Sequence, residues 1–372
     1  MRQVWLCLAF VIVAAVAAAA ESIEKLDPNF AAPDATGEFV WYDALKIGVS
    51  GQGWKEVAAP YDRLPAKAEG VVRPAVWSLS RHSSGLVVHF LSDSPALAAR
   101  WSVLKDDLAM PHMPATGVSG LDLYARDGAK WRFVAGARPS QKDGNEVKLV
   151  GSTRGGMQEY LLYLPLYNGT TKLEIGVRPG AAVAKGPDGG KKPIVFYGTS
   201  ITQGGCASRP GMAYPAILGR RLDRPTINLG FSGNGKMEPE VAALLAELDP
   251  AVFVLDALPN NSADETKEHL APLVRTIRAA RPDTPIVLVE NITYQGHWFS
   301  AGPSKREGNN EVLKAAYDAF IAEGMTKLYY VEGEALLGDD SLGTVDGTHP
   351  TDLGFLREAD AMEPAIRKAL GE

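Results

Sequence analysis

The sequence predicts an all-β sandwich or jelly roll followed by an α/β domain whose parallel sheet is flanked by helices on both faces. Three observations carry this. From about residue 38 to 178, short apolar runs are punctuated by Gly, Pro, Asp and Asn and show almost no 3.6-residue period. From 193 onward, apolar runs of strand length alternate with amphipathic stretches. Between them, GAAVAKGPDGGKK (180–192) has no hydrophobic period and reads as a linker or long surface loop. The expected organisation is a signal segment over 1–20, a β domain over 21–180, a linker over 181–192 and an α/β domain over 193–372.

The first segment, MRQVWLCLAFVIVAAVAAAA, has one Arg, an apolar stretch and a run of small residues before Glu21, which is the pattern of a secretory signal. The apolar run from Trp5 to Ala20 is shorter than the roughly 20 residues a spanning helix needs, which disfavours a retained anchor. Cys7 lies inside the run instead of at its end, which disfavours a lipoprotein anchor. The expectation is an exported protein, periplasmic or extracellular, with no membrane segment in its mature form.

In the β region the candidate strands are FVWY (39–42), AVWSLS (75–80), GLVVHFLS (85–92), ALAARWSVL (96–104), KWRFVAG (130–136), EYLLYLPLY (159–167) and TKLEIGVRP (171–179). Trp41, Trp54, Trp77, Trp101 and Trp131 fall here. An aromatic sugar-binding platform is conceivable, but the area each ring buries favours core positions.

In the second region the predicted strands are PIVFYG (193–198), PTINLGF (225–231), AVFVLDAL (251–258), PIVLVEN (285–291) and KLYYVEG (327–333). Helices are predicted over about 211–222, 238–248, 264–280, 307–322 and 352–370. Val241, Leu244, Leu245 and Leu248 stand at i, i+3, i+4, i+7, as do Leu270, Leu273, Val274 and Ile277, so each helix buries one face. Near-continuous apolar strands between such helices specify a parallel sheet covered on both sides.

Composition narrows the function. The 372 residues have room for more than one core, and a net charge of −6 with pI ≈ 5.6 argues against a nucleic-acid binder. Two cysteines, Cys7 and Cys206, and six scattered histidines supply neither a disulfide framework nor a Cys-rich zinc site. No metal or cofactor is expected.

Ligands of open parallel sheets bind beyond the carboxyl ends of the strands, so the loops there hold the candidates. Ser200 lies two residues past the first strand in a turn with Gly on both sides, a setting that suits an exposed hydroxyl and equally suits an ordinary helix N-cap. Asp346 and His349 stand three apart on a loop, where the carboxylate could fix the tautomer of a proton-accepting imidazole or equally make a surface capping arrangement, and Pro350 suits entry into the last helix at its first turn. Gly233 and Asn260 lie at the same edge, where a small-residue amide and a carboxamide can face a developing oxyanion; each is also a common turn residue. Serine, glycine, asparagine and Asp-x-x-His, in this chain order and each at a strand's carboxyl end, together point to acyl transfer through a serine.

GTSITQGG (198–205), NLGFSGNG (228–235), LPNN (258–261) and DGTHP (346–350) resemble the four blocks of the SGNH (GDSL-type) hydrolases. The resemblance implies a flavodoxin-like SGNH domain with Ser200 as nucleophile, His349 as general base and Asp346 as its orienting carboxylate. The amides of Ser200 and Gly233 and the side chain of Asn260 would form the oxyanion hole. The first block has Thr199 where the family usually has Asp, and the third has Leu258-Pro259-Asn260-Asn261 in place of Gly-x-Asn-Asp, which leaves Asn261 beside Asn260 as a possible donor. GLDLYAR (120–126) is similar to the Gly-x-Asp-Leu-Tyr motif of a β-rich domain that precedes a subset of these hydrolases.

Other site types fit poorly. GFSGN (230–234) fails as Gly-x-Ser-x-Gly, Gly230, Gly233 and Gly235 run in the reverse of a dinucleotide fingerprint, and Gly204-Gly205-Cys206 lacks the P-loop lysine. Cys206 near a helix start is an alternative nucleophile, though a small buried cysteine is commoner. The expectation is a secreted serine esterase acting on short acyl esters, acetyl above all, of carbohydrates or related polar metabolites. The alternatives are an acyltransferase with the same triad and a non-catalytic carbohydrate-binding protein. In the 292–305 loop, Trp298 and Phe299 look able to line a pocket. Substrate-binding residues and oligomeric state are not legible.

Overall fold

A computed structural model describes residues 25–27, 31–33, 36–299 and 308–372. The segment read as an export signal, with Cys7, lies outside the described residues.

The front domain contains β1 (Ala32–Pro33), β2 (Val40–Asp43), α1 (Ala44–Ile47), β3 (Val49–Ser50), α2 (Pro74–Ser80), β4 (Val87–Ser92), β5 (Leu97–Val103), α3 (Ala115–Val118), β6 (Leu121–Asp127), β7 (Lys130–Ala137), β8 (Asn145–Val150), β9 (Gln158–Tyr163), β10 (Thr170–Val177) and β11 (Val183–Lys185). Two antiparallel sheets form, ordered β1-β2-β10-β5-β8 and β11-β4-β9-β6-β7, with β3 added beside β4. Alternation sets the inner faces: Val88 and Phe90 of β4 and Leu173 and Ile175 of β10 are buried, and they meet Trp101, Leu123 and Leu162 in one core.

Three differences from the sequence reading have physical causes. AVWSLS (75–80) is the helix α2, because Pro74 occupies its first turn and the short apolar run serves a helix as readily as a strand. β6 and β8 were not in the strand set; β8 is half-polar at an edge, so its apolar alternation is weak. The stretch read as a linker gives Val183–Lys185 to the sheet, paired with Phe90–Ser92 of β4. Of the five tryptophans, Trp41 and Trp101 are sandwich residues buried to 1% exposure. Trp54 and Trp77 pack instead on the core of the second domain, and Trp131 lies half-buried beside Tyr124 and Tyr163.

The second domain runs β12 (Ile194–Gly198), α4 (Ser200–Gln203), α5 (Tyr214–Arg221), β13 (Thr226–Gly230), α6 (Pro239–Glu247), β14 (Val252–Asp256), α7 (Ala263–Ala280), β15 (Ile286–Val289), α8 (Gly308–Ala322), β16 (Leu328–Val331) and α9 (Asp352–Leu370). All pairings are parallel, in the order β13-β12-β14-β15-β16. This is the 2-1-3-4-5 order of flavodoxin-like sheets, whose switch point lies between the first and third strands. One apolar cluster covers the sheet face carrying α6, α7 and α8, and another the face carrying α5 and α9. Both clusters include front-domain residues: Leu64, Val72 and Val76 in the first, Met113, Val118 and Leu166 in the second.

Candidate active site

β12 ends at Gly198, beside the switch point. A Cβ at Gly198 would lie 2.0 Å from Thr202 Oγ1 and 2.4 Å from the Asp256 carbonyl, so only glycine lets α4 fold back this tightly on the strand ends. Gly230, at the end of β13, is under the same constraint from the Gln203 backbone, 2.2 Å from its would-be Cβ. Thr199 caps α4 reciprocally: its Oγ1 accepts from Ile201 N, and its own N–H donates to Thr202 Oγ1. The serine is therefore not the cap. Ser200 is the first helical residue, so its amide is one of the donors a helix leaves unpaired. Its carbonyl is held by Gly204 N, Gly205 N and the hydroxyl of Tyr167 from the front domain.

The loop after β16 brings the other two predicted residues to this point. Ser200 Oγ lies 2.9 Å from His349 Nε2, and His349 Nδ1 lies 2.7 Å from Asp346 Oδ2. Asp346 Oδ1 also accepts the backbone N–H groups of Thr348 and His349, so the loop curls around the carboxylate. Burial pushes the Asp346 carboxyl up, but the combined hydrogen bonds from the His349 backbone and ring and from Thr348 leave it below the ordinary carboxylate range. It stays charged, and a charged acceptor at Nδ1 leaves Nε2 free to take a proton. Pro350 precedes the helix instead of entering it: Thr351 is the N-cap of α9, its Oγ1 accepting from Gly354 N.

The block after β13 forms a turn closed by Asn234 N donating to the Phe231 carbonyl, with Gly233 at φ +68°. Ser232 N is tied to Gln203 Oε1 on α4 at 3.0 Å. The backbone of Gly235 packs so closely on Gly198 that a Cβ would lie 2.4 Å from its carbonyl oxygen. Gly235 N in turn donates to Asn260 Oδ1 at 3.1 Å, which fixes the carboxamide of Asn260 without using its Nδ2. The neighbouring Asn261 is buried and spends its Nδ2 on the carbonyls of Gly235 and Ala257. The two asparagines thus divide the work: Asn261 holds the loop and Asn260 presents a donor.

Beneath the site lie residues the sequence reading missed. Asp256 ends β14 and accepts from Tyr214 Oη (2.8 Å) and Thr202 Oγ1 (3.0 Å); burial pushes its carboxyl up to about 7. Its signal was a lone acid closing an otherwise apolar strand. Gln203 links Ser232 to His82 Nδ1 and the Leu166 carbonyl. Arg63 of the front domain is fully buried and donates to the carbonyls of Asn228 and Gly230 at the end of β13. No spacing rule points to a front-domain arginine, because the contact spans two domains.

The front-domain motif has a structural explanation here. A Cβ at Gly120 would strike the carbonyls of Thr116 and Ala137 at 2.4 and 2.5 Å. Asp122 is wholly buried, 2.7 Å from Arg209 Nη1 and accepting from Gly211 N, while Tyr124 Oη also meets Arg209. Asp and Tyr of the motif therefore latch the sandwich to the segment between α4 and α5, while its Gly lets the strand start pack against Thr116 and Ala137 inside the front domain. An open cleft of about 430 Å³ adjoins the second block, lined by Lys105, Asp107, Met110, Tyr167, Ser232 and Asn234. Trp298 and Phe299, expected to line a pocket, are exposed to 79% and 83% and pack edge-on against each other. Burial and the Asp346 charge push the Cys206 thiol up to about 12, which disfavours it as a nucleophile in the metal-free site.

Residues 191–367 match the GDSL-like lipase/acylhydrolase family, and residues 39–183 match the N-terminal region of SGNH-hydrolase-type esterases. A Bacteroides ovatus protein of known structure, described as a GDSL-like lipase, is 38% identical, with 90% of this chain and 98% of that one covered and a TM-score of 0.84. The chain belongs to the GDSL-like lipase/acylhydrolase family. This GDSL-like hydrolase is a carboxylic ester hydrolase, and both of its domains are shared with the relative. A salicylyl-acyltransferase from a tetracycline biosynthetic pathway has the same fold at 21% identity, covering 87% and 94% of the two chains with a TM-score of 0.69. So does a family two carbohydrate esterase from Clostridium thermocellum, solved with cellohexaose, at 16% identity, 77% and 93% coverage and a TM-score of 0.58. No curated protein matches the hydrolase in sequence.

Proposed function

We propose that this hydrolase is an exported serine esterase that removes short acyl groups, acetyl above all, from a carbohydrate or similarly polar alcohol. The observation that carries the mechanism is the Ser200 Oγ–His349 Nε2 contact of 2.9 Å with Asp346 behind the ring at 2.7 Å. Ser200 Oγ attacks the ester carbonyl while His349 Nε2 takes its proton, and Asp346 stabilises the imidazolium through Nδ1–H. The oxyanion is received by the amides of Ser200 and Gly233 and by Asn260 Nδ2. Collapse expels the alcohol with the proton from His349. Water then attacks the acyl-serine with the same base, releasing the acid and restoring the hydroxyl. Lys105, Asp107, Ser232 and Asn234 on the adjoining cleft support a polar leaving group, and the Arg-apolar-Ala pattern of residues 1–20 supports export.

Rates on p-nitrophenyl esters from acetyl to palmitoyl test the acyl preference. The reading expects the acetyl end to be fastest; preference for long chains contradicts it. Adding a sugar alcohol as acceptor separates hydrolysis from transfer: acid as the main product supports the esterase, and an acylated acceptor in its place makes the chain a transferase. Growth-medium or periplasmic recovery of the chain lacking residues 1–20 tests export, and a cytoplasmic, uncleaved product contradicts it.

A further inference from the structure

Three side chains from three distant segments converge above the base. His112 sits in the tight turn Met110–Met113, closed by reciprocal backbone hydrogen bonds of 2.9 and 3.1 Å. The short helix α3 that follows this turn is fastened directly to the segment holding Cys206. Gly117 packs so closely on Ala207 that a Cβ would lie 2.2 Å from its carbonyl oxygen, and Thr116 Oγ1 donates to the Ser208 carbonyl at 2.6 Å. Ser208 is in turn fixed by Asp352 at the start of α9, just beyond His349. As a result the rings of His112 and His349 lie 5.8 Å apart. One donor atom from each of His112, Cys206 and His349 falls within 4.8 Å of the other two, and among the described residues this is the one group of three His, Cys, Asp or Glu side chains so placed.

We propose that His112, Cys206 and His349 form an inhibitory site for a thiophilic divalent cation of the zinc type. Two imidazoles and a thiolate are a borderline-soft N₂S donor set, and tetrahedral zinc with bonds of about 2.0–2.3 Å needs its donors within about 4 Å of one another. The exposed His112 ring closes the remaining gap by a side-chain rotation. The outer shell is already present: Asp346 on His349 Nδ1 makes the carboxylate–histidine–metal arrangement that fixes the tautomer and strengthens the ligand. On binding, the cation takes the lone pair of His349 Nε2, breaks its hydrogen bond to Ser200, and displaces the Cys206 proton to solvent. The base is then occupied, so acyl transfer stops until the metal is removed. The sequence spacing did not announce this site because its ligands come from the front domain, the serine block and the histidine block. The effect on rate rests on the reading of His349 as base; the binding does not.

The test uses the full mature chain in metal-free buffer with zinc sulfate as the probe and p-nitrophenyl acetate as substrate. The expected result is a zinc-dependent loss of rate restored by EDTA. His112→Ala and Cys206→Ser should keep the zinc-free rate and each raise the half-inhibiting zinc concentration about 10-fold or more. Co²⁺ should give the charge-transfer absorption of a thiolate ligand, lost in Cys206→Ser. Inhibition that is absent, or equal in wild type and both variants, overturns the site, as does a Co²⁺ complex without thiolate absorption. Calorimetric zinc binding by Ser200→Ala keeps the two readings apart. Retained binding with lost esterase activity supports both, whereas retained activity in that variant overturns the serine mechanism and leaves the metal result standing.

Discussion

At the scale of single residues, the site divides into groups that meet the substrate and groups that aim them. Ser200→Ala should lower kcat on p-nitrophenyl acetate on the order of 10³-fold or more with the fold intact. Asn260→Ala removes the donor oriented by Gly235 and should cost about 10²–10³ in kcat with little change in melting temperature. Asn261→Ala should do the reverse, because its amide ties the Gly235 and Ala257 carbonyls and leaves them unpaired when lost. If Asn261→Ala proves the more damaging to kcat at unchanged stability, the roles of the two are exchanged. The convergence of Ser200, His349 and Asp346 was legible because a serine and an Asp-x-x-His pair stand at strands' carboxyl ends, whereas Gly233 and Asn260 stood out only as members of the same set of loops. The choice between two adjacent asparagines was not, since it depends on which carboxamide the loop consumes.

At the scale of elements, the parallel sheet and its long helices were readable to within three residues because a buried α/β sheet leaves a strong period in the text, whereas the four-residue α4 is too short to leave one. The sandwich was less so. Its short strands compete with helix turns, as α2 shows, and an edge strand such as β8 carries little apolar signal. Two buried elements make predictions. Glu358 of α9 is 1% exposed with no hydrogen-bond partner on either oxygen, and burial with the nearby Asp256 charge raises its carboxyl far above the ordinary range. The native state therefore holds a proton that the unfolded chain has released above its normal carboxylate pKa, so this group makes stability fall as pH rises through the neutral range. Glu358→Gln removes that slope. Its melting temperature should exceed that of wild type by a margin that widens between about pH 5 and 8, and a constant margin contradicts the assignment. Asp122→Asn leaves Arg209 without its counter-charge at the joint and should cost about 3 kcal/mol in denaturant unfolding. A change within about 0.5 kcal/mol would mean that the latch is idle.

At the scale of the whole molecule, the front domain is part of the catalytic structure and not an appendage. Arg63 braces the end of β13, Tyr167 holds the Ser200 carbonyl, and residues 64–76 complete one apolar cluster of the parallel sheet. The composition shift near residue 190 marks where one regime of secondary structure ends, but it carries no trace of these cross-domain contacts, which is why the sequence shows two domains and a linker and not the joint between them. The intact chain should unfold in a single transition, and a fragment beginning at residue 191 should expose the apolar surface that Leu64, Val76 and Leu166 cover and fail to fold. Two resolved transitions in calorimetry would contradict that coupling. The same cross-domain geometry delivers the serine, and labelling with a p-nitrophenyl phosphonate tests it most directly. Peptide mapping should find one adduct, on Ser200, formed in step with loss of esterase activity and absent from His349→Ala. An adduct on another residue, or full activity with Ser200 blocked, would contradict the account.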